Sequence, residues 1–221
     1  MNNLINVTRF IIGLSILSYG AYTDLKTREA SNKLWLLMGI MGAVLLIVER
    51  PDAAETAISI AISFPLALLL YIFGMGGADV KAMWGIALLS PLPPSFYSLP
   101  LSPSPIFIFP LTVLINSLFV IIPLPLAFLI YNALKGDVEF PQCLFGYKMD
   151  SNKAKNSFVW SMEREDGRKG IMPVKNFDFD SAGNKRLWVT PQMPFLVFIT
   201  VGFIISFIFG DILFSLLSLL Q

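Results

Sequence analysis

The 221-residue chain contains no histidine, a single cysteine (Cys143), and charged residues at only 14% of its positions. Without histidine there can be no Ser–His or Cys–His nucleophile, no zinc peptidase built on paired helical histidines, and no haem held by an imidazole. One cysteine forms neither an intrachain disulfide nor a four-cysteine zinc site. A net charge of +1 supplies no electrostatic reason to expect a nucleic-acid partner. Proton chemistry therefore falls to Asp, Glu, Lys or Tyr, and nothing in the composition calls for a metal or an organic cofactor.

Apolar sequence takes the place of what is missing. Hydrophobic residues make up 55% of the chain, with long runs at 5–22, 34–48, 57–73, 106–131 and 195–220. These approach or exceed the ~20 residues that cross a hydrocarbon core of roughly 30 Å. Together with a shorter run at 80–89, they predict a mainly α fold: a polytopic membrane bundle of six transmembrane helices with a small β-containing cytoplasmic insert. The first run is read as a retained span, not a signal sequence. Seven prolines between 91 and 110 predict an irregular external loop over 91–105, and Pro110, Pro123 and Pro125 are expected to kink the fifth span.

Composition divides the chain into 1–134, carrying five helices, 135–191, a polar insert, and 192–221, the last helix. The insert has alternating patches at 158–162 and 186–190 and turn signals at Asp166-Gly167 and Gly183-Asn184, the pattern of short strands. Fourteen of the 16 Lys and Arg lie in the 24–33 connection, at Lys81 and in the insert, leaving Arg9 and Arg50 elsewhere. By the positive-inside rule the basic segments face the cytoplasm and both termini lie outside a cell membrane.

Asp24 closes the first apolar run and Asp79 opens the fourth, so this topology puts both at the cytoplasmic edge. Ten residues at 80–89 rise only about 15 Å, so either the fourth helix recruits residues beyond Pro91, or it begins inside the bilayer with Asp79 recessed. Stepping back from Asp24 by helical turns passes Ala21, Gly20, Leu17 and Gly13, a face small enough for a neighbouring helix to approach closely. Ionisable groups near the membrane interior are costly and point to function. Two carboxylates sharing one proton can activate water and protonate a leaving amine; the alternative is that both merely cap helices. Lys26 and Lys81 each follow an Asp by two residues, where a cation can tune a carboxylate or bind substrate, or else anchor the chain at the interface. Asn116 is expected to hydrogen-bond between helices, and Asp211 to lie near the outer surface, far from the pair.

Gly76-Gly77-Ala78-Asp79 resembles the GxGD motif of intramembrane aspartyl proteases. Asp24-Leu25-Lys26-Thr27-Arg28-Glu29 resembles the segment around the first catalytic Asp of prepilin and preflagellin peptidases. Asp79-Val80-Lys81, the polar insert and Trp188-Val189-Thr190-Pro191-Gln192 extend the likeness to archaeal preflagellin peptidases over essentially the whole chain. The resemblance implies an aspartic endopeptidase with Asp24 and Asp79 as its catalytic pair, a turn shaped by Gly76, Gly77 and Ala78, and no cofactor. It also implies a substrate: a precursor flagellin or pilin whose leader is cut at the cytoplasmic membrane edge. Ala78 replaces the motif's second glycine, which requires that φ at this position not be positive. The tetracysteine segment of many bacterial prepilin peptidases is absent, so no N-methyltransferase activity is implied.

Two other readings fit the residues. An ion-coupled transporter using the two Asp as cation ligands predicts carboxylates near the midplane and often repeated halves. A non-enzymatic filament-assembly factor, docking through 135–191, predicts indifference to Asp→Asn at both positions.

Overall fold

The apolar runs fold as helices. In a computed structural model that describes residues 2–72, 74–164 and 166–220, the elements in chain order are α1 (Asn2–Thr27), α2 (Asn32–Glu49), α3 (Ala53–Ile72), α4 (Gly77–Leu89), α5 (Phe109–Ile121) and α6 (Leu124–Leu134). A short sheet region follows with β1 (Tyr147–Asp150), α7 (Ser151–Ala154), β2 (Val159–Glu163), β3 (Lys169–Val174) and β4 (Arg186–Pro191), before α8 (Phe195–Ile208) and α9 (Ile212–Ser218). The chain divides into two compact units, Met1–Ile121 with Pro194–Gln221, and Ile122–Met193.

Local chemistry sets the helix ends. The Ser31 side chain accepts from Lys33 N at the start of α2, which ends at Arg50 in the left-handed region (φ 53°) directly before Pro51. Asp52 Oδ1 then accepts from Glu55 N at 2.8 Å and opens α3. Pro110 falls in the first turn of α5, where no helical hydrogen bond is lost, so it does not kink the helix. Pro123, by contrast, separates α5 from α6.

The expected six transmembrane helices are corrected to four. Among the described residues, Asn3–Thr27, Asn32–Glu49, Ala53–Ile72 and Phe109–Leu134 are long and apolar enough to cross a membrane, and the protein is a multi-pass membrane protein. The other two apolar runs are too short as helices. With 13 residues in α4 and 14 in α8, they rise about 20 Å each, against a core of roughly 30 Å. The last run breaks at Gly210 (φ 87°), after which Asp211 caps α9 through Phe214 N at 3.2 Å.

Close contacts fix the registers in the helical unit. Helices α1 and α2 are antiparallel, with Gly20 against the Trp35 ring and Arg9 paired with Glu49 at 2.6 Å at the far end. Helix α4 runs parallel to α2. A Cβ on Gly85 would meet Met38, and one on Gly42 would stand 2.5 Å from the Leu88 backbone, so these glycines let the two backbones approach closely. This register sets Asp79 level with Asn32, the first residue of α2. Helix α2 continues seven residues past Gly42, so α4 falls short at the end away from Asp79. Measured against α2, the shortfall of α4 lies at the end away from Asp79. Chain from the proline-rich stretch occupies that depth, with Ser90 and Pro91 buried, the Pro91 carbonyl accepting from Ser59 Oγ at 2.6 Å and the Ser95 carbonyl from Asn6 Nδ2 at 2.8 Å. Irregular backbone at membrane depth is tolerated when it is covered by protein in this way.

Helix α8 packs between α1 and α5. Gly13 lies against Phe203, and Gly202 against Ser117 and the Val113 carbonyl. Phe10, Phe109, Phe203 and Phe207 stack and tilt against one another, with Phe203 and Phe207 centroids 4.7 Å apart. Asn116 makes the expected interhelical bonds, donating to Ser206 Oγ at 2.8 Å and to the Gly210 carbonyl at 2.7 Å.

In the second unit the strands form one antiparallel sheet in the order β1-β4-β2-β3. Gly167 (φ 79°) and Gly183 (φ 61°) occupy the two turns that their sequence signals. Trp188 of β4 is fully buried with Met162 and Cys143, and Cys143 is a free thiol. The Trp188 indole N–H donates to Glu139 at 2.9 Å, which also pairs with Lys169 at 2.7 Å. Asp137 accepts from Lys148 and Arg186.

Candidate functional site

Asp24 and Asp79 come to the same end of the helical unit because α1 and α4 run antiparallel. At one end Gly13 faces Leu89. At the other, the two carboxylates stand close enough for a direct electrostatic interaction. The ten or so residues separating these contacts on each helix match, so the pair follows from the register of two straight elements.

Asp24 occupies the last turn of α1 and is half-buried. Its carbonyl accepts from Arg28 N at 3.0 Å, where the chain turns through a left-handed residue (φ 58°). That turn brings the Arg28 guanidinium within electrostatic reach of the Asp24 carboxylate. Arg28 is a functional candidate beyond Lys26 and Lys81, and its i,i+4 spacing from Asp24 is the sequence signal for such a pair. The lysines have other partners: Lys26 Nζ lies 5.1 Å over the Tyr22 ring, and Lys81 Nζ donates to Asn32 Oδ1 at 2.8 Å.

Asp79 is the third residue of α4 and only 7% exposed. Its Oδ2 accepts from Gly76 N at 3.1 Å, satisfying one of the free N–H groups at a helix start. Gly76 is extended (φ −64°, ψ 146°), a conformation open to any residue, so backbone freedom is not what glycine supplies here. Space is: a Cβ at Gly76 would stand 2.8 Å from Asp79 Oδ2. Gly77 has no such neighbour, its added Cβ meeting only Tyr71 at 3.9 Å. Ala78 lies inside α4, outside the positive-φ residues, which meets the condition its replacement of glycine imposes. The left-handed turn before the helix falls at Gly74 (φ 99°), two residues before the motif.

Helical spacing separates two faces of α4. Asp79, Met83 and Ile86 form the buried face. Lys81, Trp84, Gly85 and Leu88 lie on the opposite side and line a groove with α2 and α3. Asp211 is fully buried at the other end of the unit, accepting from Ser104 Oγ at 3.1 Å and Phe214 N. Among the described residues no group of three or more His, Cys, Asp or Glu is placed to hold a metal ion.

The sequence pattern of the type IV leader peptidase family matches residues 11–134, which include both aspartates. The pattern described as archaeal peptidase A24 C-terminus type II matches residues 138–212. The chain is similar to the preflagellin peptidase of Methanococcus maripaludis, 29% identical over 218 residues that cover 91% of this chain and 95% of that protein. It is also similar to the preflagellin peptidases of Methanococcus voltae, 28% identical over 232 residues covering 94% and 97%, and of Methanocaldococcus jannaschii, 26% identical over 228 residues covering 91% and 94%. With one pattern spanning the helices that carry the paired aspartates and the other the sheet region and α8, the chain belongs to the type IV leader peptidase family, in its archaeal preflagellin and prepilin branch.

Proposed function

We propose that this protein is an aspartic endopeptidase that removes the leader from flagellin or pilin precursors, with Asp24 and Asp79 as its catalytic pair. What supports the reading is that these two carboxylates stand within electrostatic reach at one end of the helical unit, in a chain whose family is proteolytic. Family membership supports a proteolytic role; the aspartic mechanism and the substrate are our reading.

One proton shared by two carboxylates suffices for amide hydrolysis. The ionised carboxylate accepts a proton from water as the water oxygen bonds to the scissile carbonyl carbon. The protonated carboxyl gives its proton to the carbonyl oxygen, forming a neutral gem-diol. Collapse breaks the C–N bond, with one proton passing to the leaving amine and one returning to the pair. The pair titrates as a unit, so the acid and base roles belong to both residues together.

Placement at helix ends supports hydrolysis over ion transport. Asp24 lies in the final turn of α1 and Asp79 in the first turn of α4, where water reaches the membrane surface. A transporter's ligands would sit near mid-helix. Lys26, Arg28, Lys33 and Lys81 belong to the same end, whereas Arg9 and Arg50 lie at the other. The positive-inside rule therefore favours a cytoplasmic active site. A substrate cut there keeps its apolar helix in the membrane and offers the leader junction to the pair.

Membranes containing the protein are incubated with a precursor, and the new N-terminus is mapped by mass spectrometry. The reading expects a single cut at the boundary between leader and apolar helix. Absence of leader loss with inserted, intact protein overturns it.

A further inference from the structure

The groove on the Lys81 face of α4 takes no part in the mechanism above. Helix α4 forms its floor, Trp35, Gly39 and Ala43 of α2 form one wall, and Phe64 of α3 closes the other. It encloses about 490 Å³. From Asn32 to Ala43 it follows α2 for about 16 Å, a slot lined mainly by apolar side chains of α2, α3 and α4.

One end of the groove is polar. Lys81 Nζ donates to Asn32 Oδ1 at 2.8 Å, so the partner of its charge is a neutral amide. A cation at the membrane-surface end of an apolar slot is complementary to a phosphate joined to a hydrocarbon tail.

We propose that this groove binds one chain of an anionic membrane phospholipid, with the phosphate held at Lys81 and Asn32. The chain lies along Leu36, Ile40 and Leu88, apolar side chains that line the groove. A lipid seated there packs on the face of α4 opposite Asp79 and braces the helix that carries this carboxylate. The proposal stands apart from the peptidase assignment, because its test reads binding and not cleavage.

The full chain in neutral detergent is titrated with phosphatidylglycerol or phosphatidylcholine bearing brominated chains, which quench nearby tryptophan. Trp35 and Trp84 both line the groove. The proposal expects saturable quenching, with the anionic lipid preferred by about fivefold. Lys81→Gln abolishes that preference and leaves the neutral lipid's affinity unchanged. Ala43→Phe, at an exposed position on the groove wall, weakens both lipids alike. Quenching that does not saturate, that ignores the headgroup, or that persists in both variants overturns the proposal. Full displacement by millimolar inorganic phosphate would assign the end to free anions and also overturn it, as would displacement by a peptide of the precursor's apolar helix.

Discussion

The Asp79 carboxylate packs over the Gly76 backbone so closely that a Cβ there would stand 2.8 Å from Oδ2, while Gly76 N donates to the same oxygen at 3.1 Å. Glycine at this position sets where the carboxylate rests, and Gly77 next to it has no comparable neighbour. Gly76→Ala is expected to push Asp79 out of position and slow cleavage about tenfold to a hundredfold. Gly77→Ala, inside the first helical turn, should stay within about threefold of wild type, since alanine is the better helix former. Rates of leader loss at matched protein levels distinguish the two; equal damage from both would show that space at Gly76 is not what matters.

Asp211 is a buried cap, remote from the pair. Asp211→Ala strips the cap from Phe214 N and leaves the Ser104 hydroxyl without its acceptor, for a loss of about 1–2 kcal/mol. Asp211→Asn keeps an acceptor oxygen and should be nearly silent. Thermal unfolding in detergent measures the first effect, and cleavage by the folded fraction should be unchanged in both.

Acid should loosen the sheet unit. The Lys148 hydrogen bond, aided by Arg186, holds Asp137 below its ordinary carboxylate range, and hydrogen bonds from Lys169 and Trp188 do the same for Glu139. Carboxylates lowered by folding contribute stability that is complete above their unfolded values and is lost as pH falls through the folded ones. Both are close to solvent, so the effect is modest. Hydrogen exchange of strand peptides from the full chain should accelerate as pH drops below the carboxylate range, after correction for intrinsic rates. Glu139→Gln should lessen that acid response; an unchanged response would remove Glu139 from the account.

The sequence disclosed the membrane class, the β insert, the small-residue face of α1 and the two aspartates, because each is written in local pattern: apolar runs, alternation, glycine spacing and acids at run ends. Span counting failed where pattern was continuous and geometry was not. Run 195–220 reads as one span interrupted by Gly210-Asp211, yet that interruption ends α8 and opens a separate α9. The length of 80–89 showed a helix too short for the bilayer but not which end falls short, since that depends on Gly42 meeting Leu88 and Met38 meeting Gly85 across two helices. Arg28 follows Asp24 by four residues, a readable helical spacing, although a left-handed turn at Arg28 itself ends the helix there. The restriction at Gly76 was legible as a motif glycine, but its cause is steric contact with Asp79, which no spacing rule displays.

Cleavage of a precursor by membranes containing wild-type, Asp24→Asn or Asp79→Asn protein tests the central claim most directly. Each variant leaves half a pair, unable both to activate water and to hold the compensating proton. The account predicts that each loses more than about a hundredfold in leader removal while remaining inserted at wild-type levels. Near-wild-type cleavage by either variant would contradict it.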